Sequence, residues 1–218
     1  MTDQTQPLRI DFISDVVCPW CVVGYRQLEQ ALKSTATDYE IHWHPFELNP
    51  DMPAEGQNLR EHLAEKYGST PEQSQENRAR LTDLGASLDF RFAFFDEMRM
   101  VNTFDAHRLI HWAEMKGLGH ALKQALFAAY FSEQRDVSDA AVLVDVAEKA
   151  GLDATEARAV LDGQRYAAEV RQQENIWIQN NIRGVPAIIF DNKHLVTGAQ
   201  GVENYTRILT QLAQMRAA

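Results

Sequence analysis

Residues 8–32 read LRIDFISDVVCPWCVVGYRQLEQAL, and their order decides the fold. Leu8–Ser14 is short, apolar and partly β-branched, the composition of a buried strand. Cys18-Pro19-Trp20-Cys21 follows, and these are the only two cysteines of the chain. Pro19 suits the first turn of a helix, where its missing N–H would be unpaired anyway. From there Cys21, Tyr25, Leu28 and Leu32 recur at helical spacing, so Cys21 heads an apolar stripe and Cys18 lies one turn ahead at its open end. Two thiols at that spacing can close a disulfide with each other and open it again.

Outward from this unit, Tyr39–Leu48 alternates apolar Ile41 and Trp43 with His42 and His44, a strand period that puts the two histidines on one half-exposed face. Strand, helix and strand make a βαβ unit. Asn49-Pro50-Asp51-Met52-Pro53 then breaks the pattern. Helical spacing dominates afterwards, with segments expected at 57–67, 71–86, 103–116, 119–133, 138–150 and 154–162. Ser138 and Asp153 serve as N-caps, and Gly151 and Gly163 as stops. Phe90–Met100 is aromatic and reads as a loop packed over the core. A helix to about Asn181, strands at Ala187–Phe190 and His194–Thr197, and a last helix bearing Val202, Tyr205, Leu209 and Leu212 complete the chain. Deleting the helical block leaves βαβαββα, the order of the thioredoxin fold with its Cys-x-x-Cys after the first strand. The expectation is an α/β protein: a thioredoxin-like body, 7–54 and 164–218, interrupted by an all-helical insertion, 55–163.

Composition narrows the function. The chain has 218 residues and a formal net charge of −10, with 21 basic against 31 acidic residues. No Lys/Arg-rich run stands out, which argues against nucleic acid and anionic membrane as partners. Residues 1–10 lack a basic segment followed by an apolar run, and no apolar stretch approaches the ~18 residues of a membrane span. A cytoplasmic location is expected. In that reducing setting a structural disulfide does not persist, whereas a cycling pair can.

The thiolate is the attacking species in disulfide exchange. A free cysteine titrates near ~8.5, and cysteines at helix N-termini or in Cys-x-x-Cys pairs fall to roughly 3.5–7.5, because unpaired N–H groups and the helix dipole face the sulfur. Cys18 is therefore the expected nucleophile and Cys21 the resolving thiol. Pro19 and Trp20 lie between them, Trp20 offering an apolar surface to substrate. Zinc binding is the rival reading of a Cys-x-x-Cys. It would need histidines such as His107 and His111, whose i,i+4 spacing suits a metal but which lie far along the chain from Cys21. A buried structural pair is a second rival. Val185-Pro186 precedes a strand; a cis bond there would present the Val185 backbone to an incoming peptide, and an ordinary trans proline is the bland alternative.

With Asp15-x-x-Cys18-Pro19-Trp20-Cys21-x-x-Gly24, Gly184-Val185-Pro186, Asn102-Thr103-x-x-Ala106-His107-Arg108 and Gly198-Ala199-Gln200 in place, the chain resembles the DsbA-like superfamily, and within it the cytosolic FrnE-type branch. The resemblance runs from about residue 8 to about 212. It implies dithiol–disulfide oxidoreductase or isomerase activity, with Cys18 nucleophilic, Cys21 resolving and Pro186 as the cis-proline. It implies no tightly bound cofactor and disulfide-containing proteins or small thiols as partners. The superfamily also holds hydroxychromene-carboxylate isomerases and kappa-class glutathione transferases, which carry serine at the Cys18 position and act through glutathione. That gives the alternative function, glutathione as a co-substrate, and Asn102 a place lining the cleft. His107 and Arg108 are assigned to packing rather than chemistry. A homodimer is compatible with the composition. One departure stands out: thioredoxin-like enzymes often carry a buried acid where this chain has Phe12, and alternation points Asp11 away. Proton handling at Cys21 is thus unassigned, with water as the default carrier.

Overall fold

The computed structural model describes residues 6–217. Strand β1 (Leu8–Ser14) is buried at every position but Arg9, as a strand covered on both faces must be. Helix α1 (Pro19–Ser34) starts with Pro19 in its first turn and buries Cys21, Tyr25, Leu28 and Leu32. Strand β2 (Tyr39–Pro45) runs parallel to β1, Leu8 facing Tyr39 and Ser14 facing Pro45. His42 and His44 are half-buried on it, and Trp43 is buried.

The insertion follows. Its helices are α2 (Leu59–Tyr67), α3 (Pro71–Ser87), α4 (Phe104–Glu114), α5 (Gly119–Phe131), α6 (Ala140–Lys149) and α7 (Ala154–Asp162). The ends have local causes: Asn58 caps α2, Thr70 and Gln73 form a reciprocal capping box on α3, and Asp153 caps α7. Two expectations are corrected. The insertion is not all helical, because Gln57–Asn58 (β3) and Arg99–Met100 (β4) pair antiparallel; β4 is the tail of the aromatic 90–100 segment, and the helix expected from 57 begins at Leu59. The N-cap of α6 is Asp139, not Ser138. The Ser138 hydroxyl is taken up by Asp136 Oδ1 at 2.6 Å, while Asp139 Oδ1 accepts from the Ala141 N–H at 2.6 Å.

Helix α8 (Ala167–Gln179) returns the chain to the body, where β5 (Ala187–Phe190), β6 (His194–Thr197) and α9 (Val202–Ala217) complete it. The four-stranded sheet has the order β2-β1-β5-β6, with β5 antiparallel to β1 and to β6. Helices α1 and α9 pack together, and Leu28, Tyr205 and Leu209 belong to one buried cluster. One contiguous buried cluster joins Phe12, Tyr25 and Trp43 of the body to Leu109, Leu122 and Phe127 of the insertion. The insertion thus shares the body's core and lies directly over the start of α1. Among the described residues, no helix is long and apolar enough to cross a membrane.

Candidate active site at the dithiol

The turn after β1 delivers the dithiol. The Cys18 N–H donates to the Asp15 carbonyl at 3.3 Å, and Cys18 is the N-cap residue of α1, with extended backbone at φ −92° and ψ 110°. Its sulfur caps no N–H of the helix. It donates instead across the site to the Val185 carbonyl at 3.6 Å. The Val185–Pro186 peptide is cis. Gly24, in the second turn of α1, faces this proline: a Cβ there would sit 3.1 Å from Pro186 Cγ, so a side chain would push the proline back by a few tenths of an ångström. Cys21 is fully buried, and the two cysteines approach to 3.5 Å.

Beneath the sulfurs lies a set of charged groups that strand and helix spacing do not reveal. Asp15 is 1% exposed, and its Oδ2 accepts from the Leu48 N–H at 2.8 Å. Its Oδ1 is 3.4 Å from His107 Nε2, in an alignment that leaves both atoms without a hydrogen bond. Burial would raise the Asp15 carboxyl, but the adjoining His107, the Leu48 N–H and Lys123 together hold it below its ordinary value. Lys123 of α5 is likewise 1% exposed; its Nζ lies 5.6 Å from the Trp43 ring centroid and 5.0 Å from that of Phe127. Burial pushes its ammonium down to about 8, against the upward pull of Cys21, Asp15 and Cys18. Burial drives the Cys21 thiol the other way, well above its usual value, with Cys18 adding to the rise; the Lys123 charge and the Asp15 N–H pull it back.

In front of the sulfurs is a cavity of about 380 Å³ between body and insertion. Cys18, Pro19, Trp20 and Val185 line one side, and residues of α2, α3 and α5 the other. Trp20 is 37% exposed and stacks near the Arg80 guanidinium, 5.6 Å from its ring centroid.

Of the expected site residues, the structure brings Cys18, Cys21, Pro19, Trp20, Val185 and Pro186 together. Asn102 is placed elsewhere. Its Nδ2 donates to the Met52 carbonyl at 3.3 Å and its Oδ1 accepts from the Phe104 N–H at 3.0 Å, so it ties a loop to the start of α4 and does not line the cavity. His107 is packed against Asp15, and His111 against the Tyr166 ring at 5.4 Å. Among the described residues, no group of three His, Cys, Asp or Glu is disposed to hold a metal ion. Arg108 is buried, with Asp105 and the carbonyls closing α7 around it, a packing role. Phe12 points into the core against Tyr25 and Trp43, and Asp11 pairs with Arg9 and His44 away from the sulfurs. Sequence reasoning missed Lys123. The available signal was a lone lysine on the otherwise apolar face of Leu122, Leu126 and Phe127.

A model of the DSBA-like thioredoxin domain matches residues 9–210. The chain belongs to this family. A probable DsbA oxidoreductase from Streptomyces coelicolor is 37% identical, with a TM-score of 0.88 over 94% of this chain and 89% of its own. The uncharacterized protein YwbO of Bacillus subtilis is 26% identical over 204 residues, 93% of this chain and 96% of its own length. The cytosolic disulfide reductase DsbM of Pseudomonas aeruginosa, solved with GSH, is 18% identical with a TM-score of 0.62, covering 94% of this chain and 99% of its own; it shares the fold. The family is one of thiol oxidoreductases.

Proposed function

We propose that this protein is a thiol–disulfide oxidoreductase or isomerase of the FrnE-type branch. The observation that carries this reading is the placement of Cys18 at the start of α1, facing the Val185 backbone and the cavity, with buried Cys21 within 3.5 Å behind it. As thiolate, Cys18 attacks a substrate disulfide, forming a Cys18–substrate disulfide and expelling one substrate thiolate. Cys21 then loses its proton and attacks Cys18 Sγ, releasing the second substrate thiolate. Two electrons pass to the substrate, and the protein is left with a Cys18–Cys21 disulfide; the reverse sequence oxidises a substrate dithiol. Trp20 and Pro19 supply apolar contact, and the Val185 backbone pairs with an extended substrate.

Lys123 supplies the proton acceptor that Phe12 cannot. With its ammonium pushed down to about 8, a useful fraction of the amine is neutral near physiological pH. It takes the Cys21 proton as that thiol becomes a nucleophile, and the resulting ammonium stabilises the thiolate. We place the protein in the reducing cytoplasm, with disulfide-bearing proteins or small thiols as partners and glutathione as co-substrate.

Cys18→Ser is expected to abolish exchange with a model disulfide, and Cys21→Ala to trap the mixed disulfide, both with an unchanged thermal midpoint. Exchange at the wild-type rate in Cys18→Ser would reject the proposal. A second reading, a glutathione-dependent isomerase or transferase of the hydroxychromene-carboxylate isomerase or kappa glutathione transferase type, draws on the size of the cavity. It requires turnover to survive in Cys21→Ala, so the same variant separates the two.

A further inference from the structure

A dithiol can exchange with any disulfide that reaches it, and the cavity in front of Cys18 narrows the choice. Its insertion wall carries three polar side chains, Ser74 and His62 buried and Arg78 partly so, with buried polar atoms that have no partner. Arg78 of α3 is 16% exposed at its side chain; its Nη1 lies 4.0 Å from Asp96 Oδ1, while Nε and Nη2 are buried without a partner. Ser74, one turn earlier, is 5% exposed, and its Oγ has no partner. His62 of α2 is 9% exposed, and its Nε2 is likewise unpartnered. All three line the same cavity as Cys18.

The state of His62 follows from its other nitrogen. Gln57 Nε2 donates to Glu65 Oε2 at 2.7 Å, which turns Gln57 Oε1 toward His62 Nδ1 at 2.9 Å. Nδ1 therefore carries the proton. Burial, with Lys66 nearby, lowers the imidazole and keeps it neutral, so Nε2 is an acceptor. The wall thus offers two guanidinium donors, a hydroxyl and an imidazole acceptor. Buried donors left unpaired are costly, and a folded chain rarely leaves several on one wall unless something else satisfies them. A guanidinium fork matches a carboxylate bidentately. The remaining hydroxyl and acceptor suit an adjacent amide or ammonium N–H. A volume of about 380 Å³ is in the range that holds small ligands, not a folded partner.

We propose that this cavity binds a small carboxylate-bearing thiol or disulfide, Arg78 clamping the carboxylate so that the substrate sulfur meets Cys18. The inference rests on the dithiol reading and specifies its substrate class. In the forward direction the small disulfide accepts two electrons and leaves as two thiols, and the protein is left as the Cys18–Cys21 disulfide.

The test is single-turnover oxidation of the reduced protein by oxidised glutathione, which bears carboxylates, and by 2-hydroxyethyl disulfide, which bears none. Arg78→Met is expected to raise the half-saturating concentration of oxidised glutathione about tenfold or more, and Ser74→Ala severalfold. The rate with 2-hydroxyethyl disulfide should be unchanged in both. Arg78→Lys, which keeps the charge and loses the fork, should fall between, and it replaces Arg78→Met should that variant fail to fold. S-methylglutathione, which cannot exchange, should bind the wild type in calorimetry and bind the Arg78 variant at least tenfold more weakly. Oxidation by both disulfides without dependence on Arg78, or equal slowing with both, overturns the inference and spares the dithiol reading. Oxidation by neither removes both.

Discussion

Two aspartates of one short stretch, Asp11 on β1 and Asp15 just after it, are both buried, and they have opposite surroundings. Asp11 is saturated: Arg9 Nε and Nη2 donate to it at 2.8 and 2.6 Å, and His44 Nε2 stands 2.8 Å from Oδ1. Burial opposes its ionisation, but His44 and Arg9 outweigh that and bring its carboxyl down to about 2. Asp15 holds one good hydrogen bond, and its other oxygen faces His107 without making one. Its further electrostatic partner, Lys123, is shared with the two sulfurs. A saturated buried pair has one stable arrangement and serves the fold. An under-satisfied set beside a dithiol can move a proton, because one member, the Lys123 ammonium, is pushed down to about 8.

The sharpest way to break this comparison is Lys123→Met. Removing the buried cation leaves the buried Asp15 carboxylate with one counter-charge fewer, so the fold should lose stability, by up to about 3–5 kcal/mol. Resolution by Cys21 should slow by about a hundredfold, with the Cys18 mixed disulfide accumulating in rapid-quench trapping. In the wild type the resolution rate should climb with pH until the Lys123 amine is fully neutral, bending near 8. The bend should vanish in the variant. Unaltered resolution kinetics would make Lys123 a structural cation.

Next in size is the cost to the fold of Asp11→Asn. The folded carboxyl lies at about 2 against an ordinary 3.8, which corresponds to about 2 kcal/mol. Because the folded value is depressed, that stability is present above pH 4 and is lost as pH falls through 2. The variant should therefore lose about 2 kcal/mol at neutral pH, show a flatter stability profile between pH 5 and 2 in chemical denaturation, and keep wild-type exchange. A drop in exchange would erase the distinction between the two aspartates.

Asp15→Asn should give the smallest effect and the most diagnostic one. Without the carboxylate, the Lys123 ammonium loses a stabilising neighbour, so the bend in the resolution profile should move to lower pH by less than about one unit. Movement to higher pH would show that Asp15 acts on Lys123 in some other way.

The body of the fold is legible because its signals are local. The β1 and α1 periodicities, Pro19 at N1 and the break at Asn49–Pro53 act within a few residues of one another. Short-range polar competition was harder to read. Ser138 lost the α6 cap to Asp139 because Asp136 engages its hydroxyl, and β3 and β4 formed because residues 57–58 and 99–100 meet only after the aromatic segment folds back. Asn102 looked like a cleft residue, but the Met52 carbonyl and the Phe104 N–H claim its amide.

The sequence by itself determined the order of elements and the dithiol at a helix start, since an i,i+3 pair enclosing a proline is a property of one turn of backbone. The tertiary structure alone decided that Asp15, His107 and Lys123 meet beneath the sulfurs and that Arg78 lines the cavity in front of them. Those groups are brought together by the insertion packing on the body; burial lowers the Lys123 ammonium, its neighbours hold the Asp15 carboxyl down, and Arg78 keeps hydrogen bonds unspent.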